Sequence, residues 1–167
     1  MPYLVARFIL APTPRNTGRM ASCDAPWQHW PMAKKTYRGS CHCGRLRFEA
    51  DLDLAAGTGK CNCSYCWKVR AWTIGIKPEA FRLLSDTASA GEYGFRENSQ
   101  NHHVFCKNCG VRIYTYGHVE QIGGDYVAIA LSTLDDLSPE ELLEAPVRYM
   151  NGKDDAWFHV PAETRHL

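Results

Sequence analysis

The chain has 167 residues, of which 45% are hydrophobic and 22% are charged. This is enough chain to bury one full core, and the composition is that of an ordinary globular protein. The formal net charge of +1 argues against a dedicated nucleic-acid-binding protein, which usually carries a strongly basic patch. No apolar stretch in the sequence approaches the ~20 residues that a membrane-spanning helix needs.

The first 33 residues differ in composition from the rest. Five prolines interrupt any helix there, and three arginines precede the first acidic residue, Asp24. We interpret residues 1–33 as an N-terminal extension that is either disordered or the product of a start codon assigned too early. An organelle-targeting peptide is the third alternative, because the segment contains arginine and little acid. Cys23 lies in it and is interpreted as a free thiol.

Strand patterns begin at Lys34, so we place the folded domain at 34–167. Leu46, Phe48 and Ala50 alternate with charged residues, which predicts a half-buried strand. Further strands are predicted over 58–63, 71–76, 81–84, 91–96, 102–105, 111–116 and 126–131. The last of these, 126–131, is almost entirely apolar and is expected to be central and buried on both faces.

One helix start is clearly encoded near the end of the chain. Ser138 provides an N-cap, Pro139 suits the first helical position, and Glu141 completes a capping box. The helix should end near Ala145, and a helical turn is expected at 67–70. Many short strands with little helix indicate a mainly-β fold with one short C-terminal helix.

Seven of the eight cysteines fall into three clusters with metal-ligand spacing. On an extended strand, alternate residues such as Cys61 and Cys63 point to one face, about 7 Å apart along the backbone. A turn beginning at Ser64 would return Cys66, the third cysteine of the central cluster, to the same ion. The same strand argument is applied to the first pair, and a glycine after the last pair makes it a zinc knuckle. The clusters are the pair Cys41 and Cys43, the triplet Cys61, Cys63 and Cys66, and the pair Cys106 and Cys109.

A secreted domain cross-linked by disulfides is the alternative explanation for so many cysteines. C-x-C spacing is poor disulfide geometry, and seven clustered cysteines are an odd number. The amino terminus has no basic start, and Arg7 interrupts its apolar stretch, so it does not resemble a secretory signal. We therefore expect reduced thiols and a cytoplasmic protein.

The number of thiols separates two kinds of site. Structural zinc takes four protein ligands, whereas catalytic zinc takes three and keeps one position open. Seven thiolates cannot close two sites, so one ion should keep an exchangeable position. The simplest division joins the two pairs and leaves the triplet open, although spacing alone does not fix which clusters share an ion. An eighth ligand from Cys23 would close both sites.

Read together, the three motifs resemble the glutathione-dependent formaldehyde-activating enzyme family, which includes the domain of centromere protein V. The similarity extends over roughly 37–159. It implies a β-tent fold of several short antiparallel strands, two Zn²⁺ ions per chain and carbon–sulfur lyase chemistry. By this resemblance the structural zinc is held by Cys41, Cys43, Cys106 and Cys109, and the catalytic zinc by Cys61, Cys63 and Cys66. The motifs are Gly39-Ser40-Cys41-His42-Cys43-Gly44, Cys61-Asn62-Cys63-Ser64-Tyr65-Cys66 and Phe105-Cys106-Lys107-Asn108-Cys109-Gly110.

The activity implied by the resemblance is formation of S-(hydroxymethyl)glutathione from glutathione and formaldehyde. A zinc ion with an open position can bind and deprotonate a thiol. The expected partner is a small-molecule thiol, glutathione, with no nucleic acid and no membrane. Two alternatives stay open: the same chemistry on another thiol or aldehyde, and a non-catalytic, zinc-stapled module that binds a protein.

Residues around the clusters suggest further roles. Lys68 and Arg70 follow the triplet and are candidates for binding the carboxylates of an anionic tripeptide, with a solvated basic face as the alternative. Trp67 and Trp72 are interpreted as core residues in preference to pocket walls.

Four histidines are also considered as site residues. His42 is expected to face away from the metal, on a strand. His102 and His103 are expected at solvent-facing strand positions, and His118 in a turn.

Overall fold

A computed structural model of the protein describes residues 34–167. The expectations for the extension at 1–33 and for Cys23 lie outside this part. Within 34–167, the helices are all too short or too polar to cross a bilayer.

Ten strands and two short α-helices make up the regular structure of the described part. The mainly-β class is confirmed, and each predicted strand except the extended segment expected at the first cysteine pair is found within a few residues of its expected bounds. In chain order the strands are β1 (Lys35–Ser40), β2 (Arg47–Leu52), β3 (Thr58–Cys61), β4 (Trp72–Ile76), β5 (Phe81–Leu83), β6 (Ala90–Gly94), β7 (Asn101–Cys106), β8 (Arg112–Val119), β9 (Gly124–Ala130) and β10 (Val147–Met150), and the helices are α1 (Ser64–Lys68) and α2 (Pro139–Glu144).

The strands form two sheets. A three-stranded sheet has the order β1-β2-β5, and a seven-stranded sheet has the order β10-β3-β4-β9-β8-β7-β6. All pairs are antiparallel except β10 with β3, where Met150 lies opposite Cys61. The sequence did not predict β10, because this four-residue strand has no alternating pattern of its own. Its pairing fixes the end of β3, where the triplet begins.

Strand β9 lies at the centre of the large sheet, as predicted. Its burial is uneven, however: Val127 and Ile129 on one face are buried, whereas on the other face Ala130 is buried and Tyr126 and Ala128 are half-buried. The expectation of burial on both faces is therefore met only in part.

The hydrophobic core joins the two sheets. Phe48 of β2 and Ile113 of β8 are almost completely buried in it, and the rings of Phe81 and Tyr114 meet at a centroid distance of 4.6 Å. Each fully buried side chain of this size contributes roughly 1.5–3 kcal/mol. The small sheet is thus held against the large one by side-chain packing.

Helix α2 begins as predicted, with a complete capping box between Ser138 and Glu141. The Glu141 carboxylate also accepts hydrogen bonds from Lys35 at 2.7 Å and from Tyr37 at 2.8 Å. The Lys35 ammonium, the Ser138 backbone N–H and the Tyr37 hydroxyl hold the pKa of Glu141 at about 2. The helix start therefore ties the C-terminal part of the chain to β1.

Gly39 provides a test of the packing between β1 and the core. A Cβ at this position would overlap the Phe48 ring and lie 2.7 Å from the Thr133 carbonyl oxygen. We expect Gly39→Ala to lower the free energy of unfolding by about 1–3 kcal/mol, as overpacking does. Urea denaturation of the zinc-loaded protein measures this.

The matched control is Gly75→Ala in β4, where an added Cβ meets no heavy atom within 4 Å. It should change the free energy of unfolding by less than about 1 kcal/mol. Equal losses in the two variants would contradict the packing argument.

Candidate metal centre

The triplet is built where β3 passes into α1. Cys61 is the last residue of β3, and its Sγ accepts the backbone N–H of Cys63 at 3.3 Å. Cys63 is the N-cap of α1, and its Sγ accepts the N–H of Cys66 at 3.4 Å. The three sulfurs consequently lie within 4.8 Å of one another. The predicted strand, followed by a turn starting at Ser64, is what brings them together.

The turn after the triplet is a helix that starts earlier than the sequence indicated. The expected position was 67–70, whereas α1 occupies Ser64–Lys68. The difference arises because the capping residue is a cysteine, and its sulfur replaces the usual oxygen as acceptor for an orphan N–H.

The other four clustered cysteines form a second group, which we call the four-cysteine group. Cys41 and Cys43 follow β1. Cys106 is the last residue of β7, and Cys109 lies in the turn after it, which Gly110 closes with φ +74°. All four sulfurs lie within 4.8 Å of one another. The Sγ of Cys43 lies 3.5 Å from that of Cys41 and 3.6 Å from that of Cys106. Four sulfurs around one zinc at ~2.3 Å would lie ~3.8 Å apart, so this arrangement fits the ion.

The strand argument for the first pair is wrong. Cys41 begins a turn in which the Gly44 N–H donates to the Cys41 carbonyl at 2.9 Å, and Gly44 has φ +72°. A strand would separate the two sulfurs by about 7 Å, whereas the turn brings them into contact. His42 is therefore an exposed turn residue.

The two groups differ in burial. Cys41 and Cys106 are buried to 1% and 0% exposure and belong to the hydrophobic core. In the triplet, Cys63 and Cys66 are only half-buried, and Cys61 and Cys66 border a cavity of about 280 Å³. Cys43 is exposed and Cys61 is buried, so each group has both buried and accessible members. The difference is that Cys41 and Cys106 belong to the core, whereas the triplet borders the cavity.

Hydrogen bonds among the triplet thiols distribute one negative charge. The Cys61 and Cys66 thiols lower the pKa of Cys63 to about 2. The hydrogen bond with Cys63 raises the pKa of Cys61, and those with Cys61 and Cys63 raise the pKa of Cys66. Three adjoining sulfurs, one of which ionises readily, suit a cation that prefers thiolate ligands. Such a cation would replace the protons on the sulfurs.

The four-cysteine group also contains a stabilised thiolate. The Arg45 backbone N–H, with help from Asn108, lowers the pKa of Cys43 to about 6. Burial raises the pKa of Cys106 to about 11. Both thiol groups therefore have the donor chemistry of Zn²⁺ sites, and the residues fit the ion that the sequence motifs imply.

A loop near the C-terminus closes over the triplet. The Asn62 side chain donates to Asn151 at 2.8 Å and accepts the Lys153 N–H at 2.8 Å. A Cβ at Gly152 would lie 2.7 Å from the Cys61 sulfur and 2.6 Å from the Trp157 ring. The backbone of Gly152 is consequently in contact with the site. Sequence reasoning missed this loop, since nothing local links it to residues 90 positions earlier.

His103 is not solvent-facing, contrary to expectation. Its ring stacks on Tyr65 with centroids 3.7 Å apart, and its Nδ1 shares a 2.7 Å hydrogen bond with Thr115. Burial and the nearby Arg112 guanidinium lower the pKa of His103 to about 4. Because Tyr65 lies between two cysteines of the triplet, His103 supports the turn that carries them.

The other two histidines lie away from both thiol groups. His118 is in β8 and pairs with Asp125, so its predicted turn position is wrong. His102 contacts Glu92 and stacks on Tyr116 at a centroid distance of 4.9 Å.

The cavity beside the triplet is walled by two indoles and carries two cations. Trp67 and Trp72 both line it, and the Trp72 Nε1–H donates to Thr58 at 2.8 Å, which fixes that ring. The Lys60 ammonium lies 4.6 Å from the Trp72 ring centroid, and the Arg70 guanidinium 4.0 Å from that of Trp67. The preference for core packing is wrong for Trp67, which is exposed, whereas Trp72 both packs against the hydrophobic core and lines the cavity.

The cationic candidates are only partly those expected from the sequence. Arg70 lines the cavity as proposed, but Lys68 lies on the exposed face of α1 and does not line it. Lys60 lines it in its place. Lys60 directly precedes Cys61 on β3, and nothing in the sequence around it indicates that it lines a cavity.

The fold is thus a mainly-β domain that gathers seven thiols into a group of four and a group of three, each of which could hold a metal ion. Residues 36–150 match the sequence model of the glutathione-dependent formaldehyde-activating enzyme family. The chain belongs to this family, and the resemblance of its motifs is confirmed. The membership points to an enzyme-like activity that involves glutathione and formaldehyde.

A crystal structure of a Rhodobacter sphaeroides protein has a similar fold. It is 24% identical in sequence, with a TM-score of 0.55, and the match covers 66% of this chain and 99% of that chain. The similarity shows that the fold occurs elsewhere.

Substitution in the two thiol groups should have different consequences. We expect Cys63→Ser to lose one zinc per chain while the fold is kept, because the triplet lies at the edge of a formed sheet. Cys106→Ser should unfold the domain, because that sulfur lies in the core. Metal analysis and circular dichroism of both variants measure this, and matching behaviour would contradict the division into two roles.

Gly152 should be required for metal at the triplet. We expect Gly152→Ala to displace either the loop or the Cys61 sulfur and to lower the zinc content by about one ion per chain relative to the unaltered protein. Gly75→Ala is the control and should keep the full content. Full zinc content in Gly152→Ala would show that the loop moves to accommodate the added Cβ without disturbing the site.

Proposed function

We propose that the protein is a carbon–sulfur lyase of the S-(hydroxymethyl)glutathione synthase type, which joins glutathione and formaldehyde reversibly. The observation that supports this most directly is the cavity, which opens onto Cys61 and Cys66 and not onto the four-cysteine group. In this proposal Cys41, Cys43, Cys106 and Cys109 hold a structural Zn²⁺, and Cys61, Cys63 and Cys66 hold a catalytic one. A three-thiolate site keeps a position for a substrate thiol, as catalytic zinc sites do.

The proposed reaction forms one bond and moves one proton. The thiol sulfur adds to the formaldehyde carbon, the carbon–oxygen π bond breaks, and the thiol proton ends on the new hydroxyl. No group is oxidised or reduced. Zinc bound at the triplet would supply an acidic position that favours the thiolate form of the substrate.

The chain's own residues position the thiol and limit the access of water. Trp67 and Trp72 provide apolar walls beside the sulfurs, and Lys60 and Arg70 provide positive charge at the same cavity. Because three thiolates already donate strongly to a single ion, we expect orientation of the substrate thiol to contribute more than polarisation of the aldehyde.

The compartment follows from the same chemistry. All seven cysteines of the described part have free thiols, as metal ligands require, and this supports a reducing environment such as the cytoplasm. The accessible cavity favours an enzyme over a zinc-stapled binding module, because a purely structural site does not need one.

Exchange NMR on a mixture of glutathione and formaldehyde tests the activity. We expect the zinc-loaded protein to accelerate exchange between free glutathione and the adduct above the uncatalysed rate, and Cys63→Ser to abolish the acceleration. Lys68→Gln is the control and should behave as the unaltered protein does.

The outcomes separate the alternatives. Acceleration with 2-mercaptoethanol but not with glutathione would indicate another thiol substrate. No acceleration with either thiol or with acetaldehyde, when two zinc ions are bound, would favour the binding module.

A further inference from the structure

Both cations of the cavity are occupied by the C-terminal part of the chain. The Lys60 ammonium donates to the Leu167 backbone oxygen at 2.9 Å, and the Arg70 Nη1–H donates to the His166 carbonyl at 3.0 Å. The His166 ring also lies against Trp67, with centroids 5.1 Å apart. We call residues 163–167 the strap, because the last two of them line the cavity.

The strap satisfies the cations incompletely. The His166 oxygen that Arg70 contacts belongs to a neutral peptide group, and the cavity lining in the described part of the chain contains no acidic side chain. A carboxylate would add the attraction of a full opposite charge to the hydrogen bond that the guanidinium makes. Arg70 therefore binds a carboxylate better than the peptide oxygen that it now contacts, and Lys60 adds a second positive charge at the same cavity.

The two cations both lie close in sequence to cysteines of the triplet. Lys60 directly precedes Cys61, and Arg70 lies four residues after Cys66, just beyond the end of α1. A carboxylate held by these cations would lie at the cavity whose other lining residues include Cys61 and Cys66. A molecule that carries both a thiol and a carboxylate could then engage the cations and the triplet together.

The geometry points to Lys60 and Arg70 as the specificity-determining residues for a carboxylate-bearing thiol, and to the strap as an internal mimic of that carboxylate which the substrate displaces. The part of this inference that concerns the thiol rests on the proposed function. The part that concerns the carboxylate rests on the cavity, its two cations and the oxygens that they contact.

Competition with the strap sets the size of the expected effect. The apparent dissociation constant of a ligand is its intrinsic value divided by the fraction of open molecules. A tethered group acts at an effective concentration in the millimolar range. A strap that is closed nine-tenths of the time would weaken binding about tenfold, and its removal would restore that factor.

Calorimetric titration with S-methylglutathione tests the inference. This probe keeps the carboxylates of glutathione but has no thiol proton, so it binds without forming an adduct. We expect the zinc-loaded chain lacking 163–167 to bind the probe about tenfold more tightly than the full chain. Arg70→Gln should weaken binding in the truncated chain, whereas the neighbouring Lys68→Gln should not.

Combining the changes gives the sharpest result. When Lys60→Gln and Arg70→Gln are both present, removing the strap should no longer affect binding, because the strap and the probe compete for those two groups. Unchanged or weaker binding on truncation of the unaltered chain would overturn the mimic. Equal losses from Lys68→Gln and Arg70→Gln would overturn the specificity assignment.

Hydrogen exchange of the full chain gives a reading that does not depend on how the truncated chain folds. The Leu167 N–H donates to the Thr164 carbonyl at 3.0 Å within the strap, and release of the strap removes the contacts with Lys60 and Arg70 that hold this turn in place. We expect the peptide covering 160–167 to exchange faster when S-methylglutathione is added. Unchanged exchange at saturating probe would contradict displacement.

Failure of this inference and failure of the proposed function give different results. If the truncated chain does not bind S-methylglutathione, the carboxylate site is wrong, but acceleration with 2-mercaptoethanol would still support the thiol chemistry. If the probe binds as expected and no thiol is accelerated, the recognition site stands and the activity is wrong.

Discussion

The Cys63 sulfur is the point on which the candidate site depends. By accepting the Cys66 N–H it begins α1, and by its contacts with Cys61 and Cys66 it holds the charge that the three thiols share. A serine oxygen could cap the same helix, but only a sulfur also provides a soft metal ligand. Local folding and ligand placement are therefore one event at this residue.

The rest of the fold keeps the turn at Cys63 in place from several sides. Strand β10 fixes the end of β3 by parallel pairing, and the Asn62 side chain fastens the loop that contains Gly152. On the opposite side, His103 stacks on Tyr65. Each support comes from a part of the chain that is remote in sequence, so an accessible site can have a defined shape although it lies outside the main core.

The sequence was informative where the chemistry is local. Cysteine spacing predicted the three thiol clusters, and the count of thiols favoured the division into a group of four and a group of three that the sulfur positions show. Alternation predicted β2, and the Ser138 capping box predicted α2 at its first residue. It failed where geometry depends on a turn or on a distant partner. The Cys41–Cys43 pair was assigned to a strand because C-x-C spacing fits either conformation, and the positive φ of Gly44 decides between them.

Long-range contacts account for the other failures. Nothing around Lys60 indicates that its ammonium reaches the backbone of Leu167, and nothing around Gly152 indicates that Cys61 lies behind it. The burial of His103 depends in the same way on Tyr65, 38 positions earlier. Such relations arise from the order of strands in the large sheet, which a single sequence does not specify.

The parallel pairing of β10 with β3 has a consequence for the order of assembly. The triplet is complete in the chain as soon as residue 66 has been synthesised, but its outer wall comes from residues after 146. During synthesis these thiols are present before the strand that frames them, at a rate of about 5–20 residues per second. Contacts of such long range form late. The nascent protein therefore exposes three clustered thiols for several seconds. During this interval metal ions in the cell can reach the thiols before the cavity has formed.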